Sequence, residues 1–130
     1  MSSQYFYGVG RRKCCSARAK YYPSAEALTI NVNKKPIAEY FQDFYLQAIT
    51  QALSKLGITT GTVDFFPRGG GIMGQAEACR LAVTKSLIKM DEGYRPIARL
   101  HGFISTDIRQ VLPKKAGRRK ARKVEQWSKR

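Results

Sequence analysis

Apolar and polar residues alternate along much of the chain, and the period changes from two to about three and a half and back. Gln4-Tyr-Phe-Tyr-Gly-Val-Gly10 is aromatic and β-branched, which predicts a first strand that ends in a turn at Gly8 and Gly10. After Arg11-Arg12-Lys13, residues Ala17, Ala19 and Tyr21 alternate with Arg18, Lys20 and Tyr22. That is the period of a strand with one packed face and one wet face, and the wet face is cationic. Leu28 to Val32 alternates in the same way, and Asn33-Lys-Lys-Pro36 breaks it. Pro36 suits the first turn of a short helix through Tyr40 and Phe41, while Leu46, Ile49, Leu53 and Leu56 form a helical stripe ended by Gly57. Thr60 to Phe66 is β-prone and predicts a fourth strand, closed by Pro67-Arg68-Gly69-Gly70-Gly71. From Ile72 through Met90 the apolar positions Ile72, Ala76, Cys79, Val83, Leu87 and Met90 keep a helical period, so this is the main amphipathic helix. A short helical piece spans Arg95 to Leu100, and beyond Pro113 no apolar face remains.

The order β-β-β-α-β-α predicts an α+β domain in which two helices cover one face of a four-stranded sheet and leave the other free for a partner. Residues 1–105 form this globular unit, and 106–130 an extended basic tail. Charge supports the division. The chain of 130 residues carries 24 Lys plus Arg against 9 Asp plus Glu, a formal net charge of +15. Up to Ser105 there are 14 basic and 7 acidic residues; the last 25 hold 10 basic and 2 acidic, with only Ile108, Val111, Leu112 and Val124 as large aliphatics. Such a segment cannot bury enough surface to fold alone, and the whole chain requires a polyanionic partner.

Several classes drop out. No apolar run approaches the ~20 residues that cross a bilayer, and Met1 to Gly10 lacks the pattern of an export signal. Cys14, Cys15 and Cys79 give an odd count without a C-x-x-C pair, unsuited to a disulfide framework or a zinc site. They read as reduced, cytoplasmic thiols, with Cys79 in the core. His101 is the single histidine; with no nucleophile or carboxylate cluster spaced around it, it reads as a surface residue, and neither catalysis nor a cofactor is expected.

Three stretches carry the candidate chemistry. Gly69-Gly70-Gly71-Ile-Met-Gly74-Gln75 places glycine amides at a helix N-terminus, an anion cradle. A phosphate-binding loop of the Walker type needs Lys and then Ser or Thr after Gly74, where this chain has Gln75 and Ala76. A general anion site survives, beside the plainer reading of a tight turn that lets helix pack on sheet. Arg11, Arg12 and Lys13 adjoin the Arg18 and Lys20 face, with Tyr21 and Tyr22 able to stack on bases; these read as RNA contacts rather than as a merely solvated surface. From Lys114 to Arg130 there are nine basic residues and one acid, Glu125. Charge alone does not separate a structured RNA-threading tail from a generic nucleic-acid arm.

At this point the chain resembles the bacterial small-subunit ribosomal protein S-nine family, from about Tyr5 to its last residue. Three stretches carry the resemblance: Gly8-Val-Gly-Arg-Arg-Lys13 with Ala17-Arg18; Gly69-Gly-Gly-Ile-Met-Gly-Gln75 with Ala78, Ala82 and Thr84-Lys85-Ser86-Leu87; and Asp107-Ile-Arg-Gln110 leading to Lys114-Lys115, Gly117, Lys120-Ala121-Arg122 and Ser128-Lys129-Arg130. Cys14, Cys15 and Trp127 depart from the usual pattern. The resemblance implies a fold similar to the second domain of ribosomal protein S-five, with a left-handed β-α-β crossover, in the head of the small subunit. It implies that Arg11, Arg12, Lys13, Arg80 and Lys85 face small-subunit (16S) ribosomal RNA, that the tail threads through it, and that Ser128, Lys129 and Arg130 approach the anticodon stem-loop of peptidyl-site tRNA. The expected RNA-facing set is completed by Arg18, Lys20, Arg68, Gly69, Gly70, Gly71 and Gln75 of the body and Arg109, Lys114, Lys115, Arg118, Arg119, Lys120, Arg122 and Lys123 of the tail. Neighbouring head proteins are expected partners; a membrane and a second copy are not. A small phosphate-binding enzyme of a related kinase-like fold is the alternative, and a free architectural DNA-binding protein a third class. The first lacks a paired carboxylate and a Walker lysine, the second a duplex-reading or dimerising element.

Overall fold

In the computed structural model, which describes residues 4–130, the alternating stretches assemble into one mixed sheet; Met1 to Ser3 of the stretch read for an export signal lie outside the described residues. The strands are β1 (Phe6–Arg12), β2 (Cys15–Ala27), β3 (Thr29–Val32), β4 (Lys35–Pro36) and β5 (Thr60–Arg68). The helices are α1 (Ile37–Tyr40), α2 (Asp43–Lys55), α3 (Ile72–Met90) and α4 (Tyr94–Leu100). The sheet order is β1-β2-β5-β3-β4. β1 with β2, β2 with β5 and β3 with β4 pair antiparallel, whereas β3 and β5 are parallel, so β4, α1 and α2 form the connection between them.

The α+β class is as expected, but the sheet has five strands, not four. Asn33 and Lys34 both have positive φ, 49° and 68°. That is the geometry of a two-residue hairpin turn of the primed type, and it folds Lys35 and Pro36 back onto Val32 and Asn31. The segment read as a break is therefore a hairpin, and Pro36 sits on an edge strand, where its missing N–H costs nothing. It also caps α1.

The end of the first strand differs too. β1 continues through both glycines to Arg12. A Cβ on Gly8 would lie 2.0 Å from the Ala82 carbonyl oxygen, and one on Gly10 2.0 Å from that of Ala78. The spacing explains the fit: two residues along a strand advance about 6.6 Å and four along a helix about 6 Å. Gly8, Gly10 and Arg12 thus meet Ala82, Ala78 and Gly74 in register, and the helix backbone lies directly on the strand.

α3 has the expected span, but it is buried on most sides rather than along one stripe. The sheet covers one side and α2 packs on another, enclosing Ala76, Ala78, Cys79, Ala82, Val83 and Leu87, while Ile72, assigned to the apolar face, is about half exposed. Its small residues make this enclosure possible, and buried Thr84 and Ser86 donate their hydroxyl protons to the carbonyls of Arg80 and Val83. Ile49, Leu53, Phe41, Val63, Phe65, Ala17, Ala19 and Tyr21 complete the core.

The fit of β1 against α3 predicts an asymmetry among glycines. Gly10→Ala forces a methyl group into a backbone carbonyl and should lower stability by about 1–3 kcal/mol or more. Gly71→Ala, with nothing within 4 Å of the added carbon, should cost less than about 1 kcal/mol as a weaker N-cap. Urea unfolding followed by circular dichroism measures both; equal midpoints would show that the strand and helix can separate without loss.

Candidate nucleic-acid interface

Among the described residues no helix covers the face of the sheet opposite α2 and α3, and pairing register sets out its side chains in rows. Arg11, Ser16 and Arg68 form one row; Val9, Arg18 and Phe66 the next; Tyr7, Lys20 and Asp64 the third. As the alternation predicts, Ala17, Ala19 and Tyr21 are buried while Arg18 is exposed and Lys20 half-buried. The Arg18 guanidinium lies 5.9 Å from the centre of the Phe66 ring, and Lys20 Nζ 4.7 Å from that of Tyr5. Of the two tyrosines read as stacking groups, Tyr21 is 3% exposed and its hydroxyl donates to the Thr60 carbonyl at 3.0 Å. It belongs to the core. Tyr22 remains half-buried and tilted against Tyr5.

The end of this sheet bears two turns. Lys13, with φ 53°, tips the β1–β2 hairpin, and Arg68-Gly69-Gly70-Gly71 leads from β5 into α3. Gly69 and Gly70 have φ of 71° and 66°, a region costly for any residue with a Cβ; a Cβ on Gly70 would also press on Cys15 at 3.1 Å. The loop is braced from inside the protein. Gln75 donates its amide to the Gly69 carbonyl at 3.2 Å, and its amide oxygen accepts from the Tyr40 hydroxyl at 2.9 Å. Gln75 is therefore committed to holding the loop, which leaves exposed Arg68 and the exposed glycine backbone as the surface presented outward.

Along the β1 edge, Arg11 lines two adjoining clefts. One, of about 340 Å³, includes Arg80, Phe103, Asp107 and Arg109; the other, of similar size, includes Val9, Lys85 and Thr106. Arg11, Arg80 and Lys85 are thus brought to one region, with the Arg80 guanidinium 5.5 Å from the centre of the Phe103 ring. Arg12 also lines the first cleft, but its guanidinium is engaged within the protein. On the same strand face as Gly8 and Gly10, it pairs with Glu77 at 2.5 Å and with Asp107 at 3.2 Å, and only 17% of its side chain is exposed. Asp107 also binds Arg109 at 2.6 Å, and Gln110 donates to the Lys13 carbonyl at 3.2 Å. Residues 107–110 are in this way strapped to the hairpin. Hydrogen bonds from Arg109, reinforced by the charges of Arg109 and Arg12, hold the Asp107 carboxyl well below the usual carboxylate range.

Beyond Leu100 the described residues form no helix and no ladder strand. Lys114, Lys115, Arg118, Arg119, Lys120, Arg122, Lys123, Ser128, Lys129 and Arg130 are all exposed, as is Trp127. The run is not uniformly extended. Gly117 at φ 73° starts a turn closed by a bridge between Arg118 and Val124, with the Arg119 amide donating to the Lys123 carbonyl at 3.0 Å and Arg119 Nε 3.6 Å from Glu125.

The family model described as Ribosomal protein S9/S16 matches residues 10–130. The chain belongs to that family. As a ribosomal protein S9/S16 it is a small-subunit ribosomal protein that binds ribosomal RNA and serves translation. The match covers the hairpin tip, the glycine loop, α3 and the whole basic C-terminal run. Of the other residues weighed in the sequence, Cys79 is buried in the core, where desolvation pushes its thiol well above the usual range, and His101 is exposed and stacked on Phe103. Among the described residues no helix is long and apolar enough to cross a membrane. Glu77, Tyr5, Tyr7 and Phe66 went unmarked in the sequence. Glu77 pairs across 65 positions, so no local spacing could expose it; the alternation of β5 places Phe66 on the Asp64 face.

The strap has a definite pH signature. A carboxylate whose folded pKa is depressed contributes stability that is present above its unfolded value, ordinarily 3.8, and lost as pH falls through the folded value. The Asp107 carboxyl should therefore titrate, by carbon NMR, below 3.8, and Arg109→Ala should move its midpoint up toward 3.8. An unshifted wild-type midpoint would show that Arg109 and Arg12 do not hold the Asp107 carboxyl as the structure has them.

Proposed function

We propose that this ribosomal protein is a non-catalytic constituent of the small-subunit head, in which residues 1–105 grip small-subunit ribosomal RNA and 106–130 run as an arm toward peptidyl-site tRNA. The observation that carries the reading is the collection of cations from separate elements on the helix-free sheet face, its adjoining turns and the β1 edge, in a chain that the ribosomal family spans from residue 10 onward. Arg11, Lys13, Arg18, Lys20, Arg68, Arg80 and Lys85 supply the phosphate contacts, with the Gly69–Gly71 backbone free of side chains that would hold a sugar-phosphate chain away. Arg12 and Gln75 act by position: the first fixes where the arm departs, the second the shape of the glycine loop. Lys114, Lys115, Arg118, Arg119, Lys120, Arg122 and Lys123 neutralise phosphates along the arm, and neighbouring head proteins cover what RNA does not. The work is done in the cytoplasm, on the ribosome.

Binding to folded small-subunit ribosomal RNA should fall ~10³- to 10⁵-fold between about 50 and 200 mM salt if roughly six to ten phosphates are neutralised. A flat response in filter binding would reject the electrostatic mechanism.

Ser128, Lys129 and Arg130 lie exposed, past the cations proposed to anchor the arm, where two cations and a hydroxyl can reach a ligand that must bind and leave. Subunits carrying a chain stopped after Trp127 should assemble normally yet hold peptidyl-site tRNA more weakly by roughly one to a few kcal/mol, the value of one or two charge-assisted hydrogen bonds at a wet site. Unchanged tRNA retention would make the three residues a passive end, and failed assembly would make them ribosomal RNA anchors.

A further inference from the structure

The helix-free sheet face is more than a set of charges. Tyr7, Arg18, Lys20 and Phe66 line a groove of about 180 Å³. Register explains its composition: Phe66 and Arg18 are paired neighbours, as are Lys20 and Tyr7 on the adjoining row, and all four project from the same side of the sheet. The cations do not extend freely into solvent. Lys20 Nζ lies 4.7 Å from the Tyr5 ring centre and 5.9 Å from that of Phe66, which Arg18 also approaches to 5.9 Å. Such contacts hold a long side chain flat against a ring and leave its remaining donors directed outward. The one carboxylate on these rows, Asp64, is engaged by the Asn31 amide at 3.0 Å.

A surface that interleaves aromatic rings with guanidinium and ammonium groups matches a strand whose phosphates and base planes alternate. A duplex buries its base planes in its own stack and offers the rings nothing. We propose that this groove is a stacking site for an unpaired RNA nucleobase, which lies against Phe66 and Tyr7 while Arg18 and Lys20 take the flanking phosphates. The proposal rests on the ribosomal RNA-binding reading and narrows it: this face takes a single-stranded bulge or loop, and the glycine-loop end and arm take the backbone of helices. Positive charge complements the phosphates, and the rings supply what charge alone does not, a preference for exposed bases.

The test compares the full-length protein with a short single-stranded RNA carrying 2-aminopurine and with the same sequence as a duplex, at several salt concentrations. The wild type should prefer the single strand and quench the probe. Phe66→Leu keeps an apolar side chain on the solvent face and leaves the core ring, Phe65, in place. It should weaken single-strand binding roughly 5- to 150-fold and relieve the quenching. The salt slope and the duplex affinity should stay unchanged. Tyr7→Leu, on the edge strand, should act in the same direction, while Lys20→Ala should lower the salt slope by about one. If both ring variants bind and quench like the wild type while salt-dependent binding persists, stacking is overturned and the general RNA reading stands. If a polyglutamate peptide displaces the single strand from wild type but not from Phe66→Leu, the groove takes an acidic protein and the proposal fails. Absence of RNA binding by the wild type at low salt would overturn both readings together.

Discussion

Gly8 and Gly10 let the backbone of α3 lie against β1 with no side chain between them, and the positions of most other residues in the molecule follow from that contact. A helix usually packs on a sheet through side chains; at Gly8 and Gly10 the strand contributes none, and it meets the helix backbone at Ala78, Ala82 and Ser86 directly. The gain is in dispersion between two close backbones, and the loss is any tolerance of a Cβ. The same register carries Arg12 beyond the two glycines to the helix N-terminal turns, where Glu77 meets it. A charged residue that looks in sequence like one of three equivalent cations instead ties β1 to α3 through Glu77 and to the 107–110 strap through Asp107.

Close packing on one face also determines what the other face can be. With β1 drawn onto α3 and the alternate residues of β2 and β5 buried, Arg18, Lys20, Tyr7 and Phe66 must project to the opposite side. A two-residue period in the strands thus separates the protein into a dry side, built from alanines, aromatics and aliphatic residues, and a wet side of cations and rings. The glycine loop extends the wet side because its left-handed residues turn the chain sharply out of β5, and Gln75, hydrogen-bonded to Gly69 and Tyr40, keeps that turn from collapsing into the helix.

Periodicity is local, and the parts of the fold that are local were legible: the faces of β2, the extent of α3, the stripe of α2 ended by Gly57, and the α+β class itself. What escaped was relational. Glycine in Gly8-Val-Gly10 reads as a turn until the partner that needs its missing Cβ is known, and α3 reads as one-sided until the sheet, α2 and the β1 edge are seen to enclose it. Asn33-Lys34 reads as a break because a lysine at positive φ is uncommon, though Asn before it is a hairpin signal. In the site, Arg18 and Lys20 were legible from strand spacing, while the engagement of Arg12 and Gln75 by other side chains depended on partners far along the chain, 65 positions away for Glu77 and 35 for Tyr40.

The small number of acids explains how a chain of net charge +15 can divide its cations between holding itself and holding a partner. Glu77 and Asp107 are placed beside Arg12, where a half-buried guanidinium needs compensation. Glu39, Glu92 and Glu125 sit beside Lys35, Arg95 and Arg119 at short sequence separation, where exposed pairs contribute little to stability but trim local repulsion. Asp64 is held by Asn31. Among the described residues, none of the ion pairs reaches Arg11, Lys13, Arg18, Lys20, Arg68, Arg80 or Lys85. Like charges left without a counter-ion on one protein repel one another; on the proposed reading, a polyanion laid across these side chains relieves that repulsion as it binds.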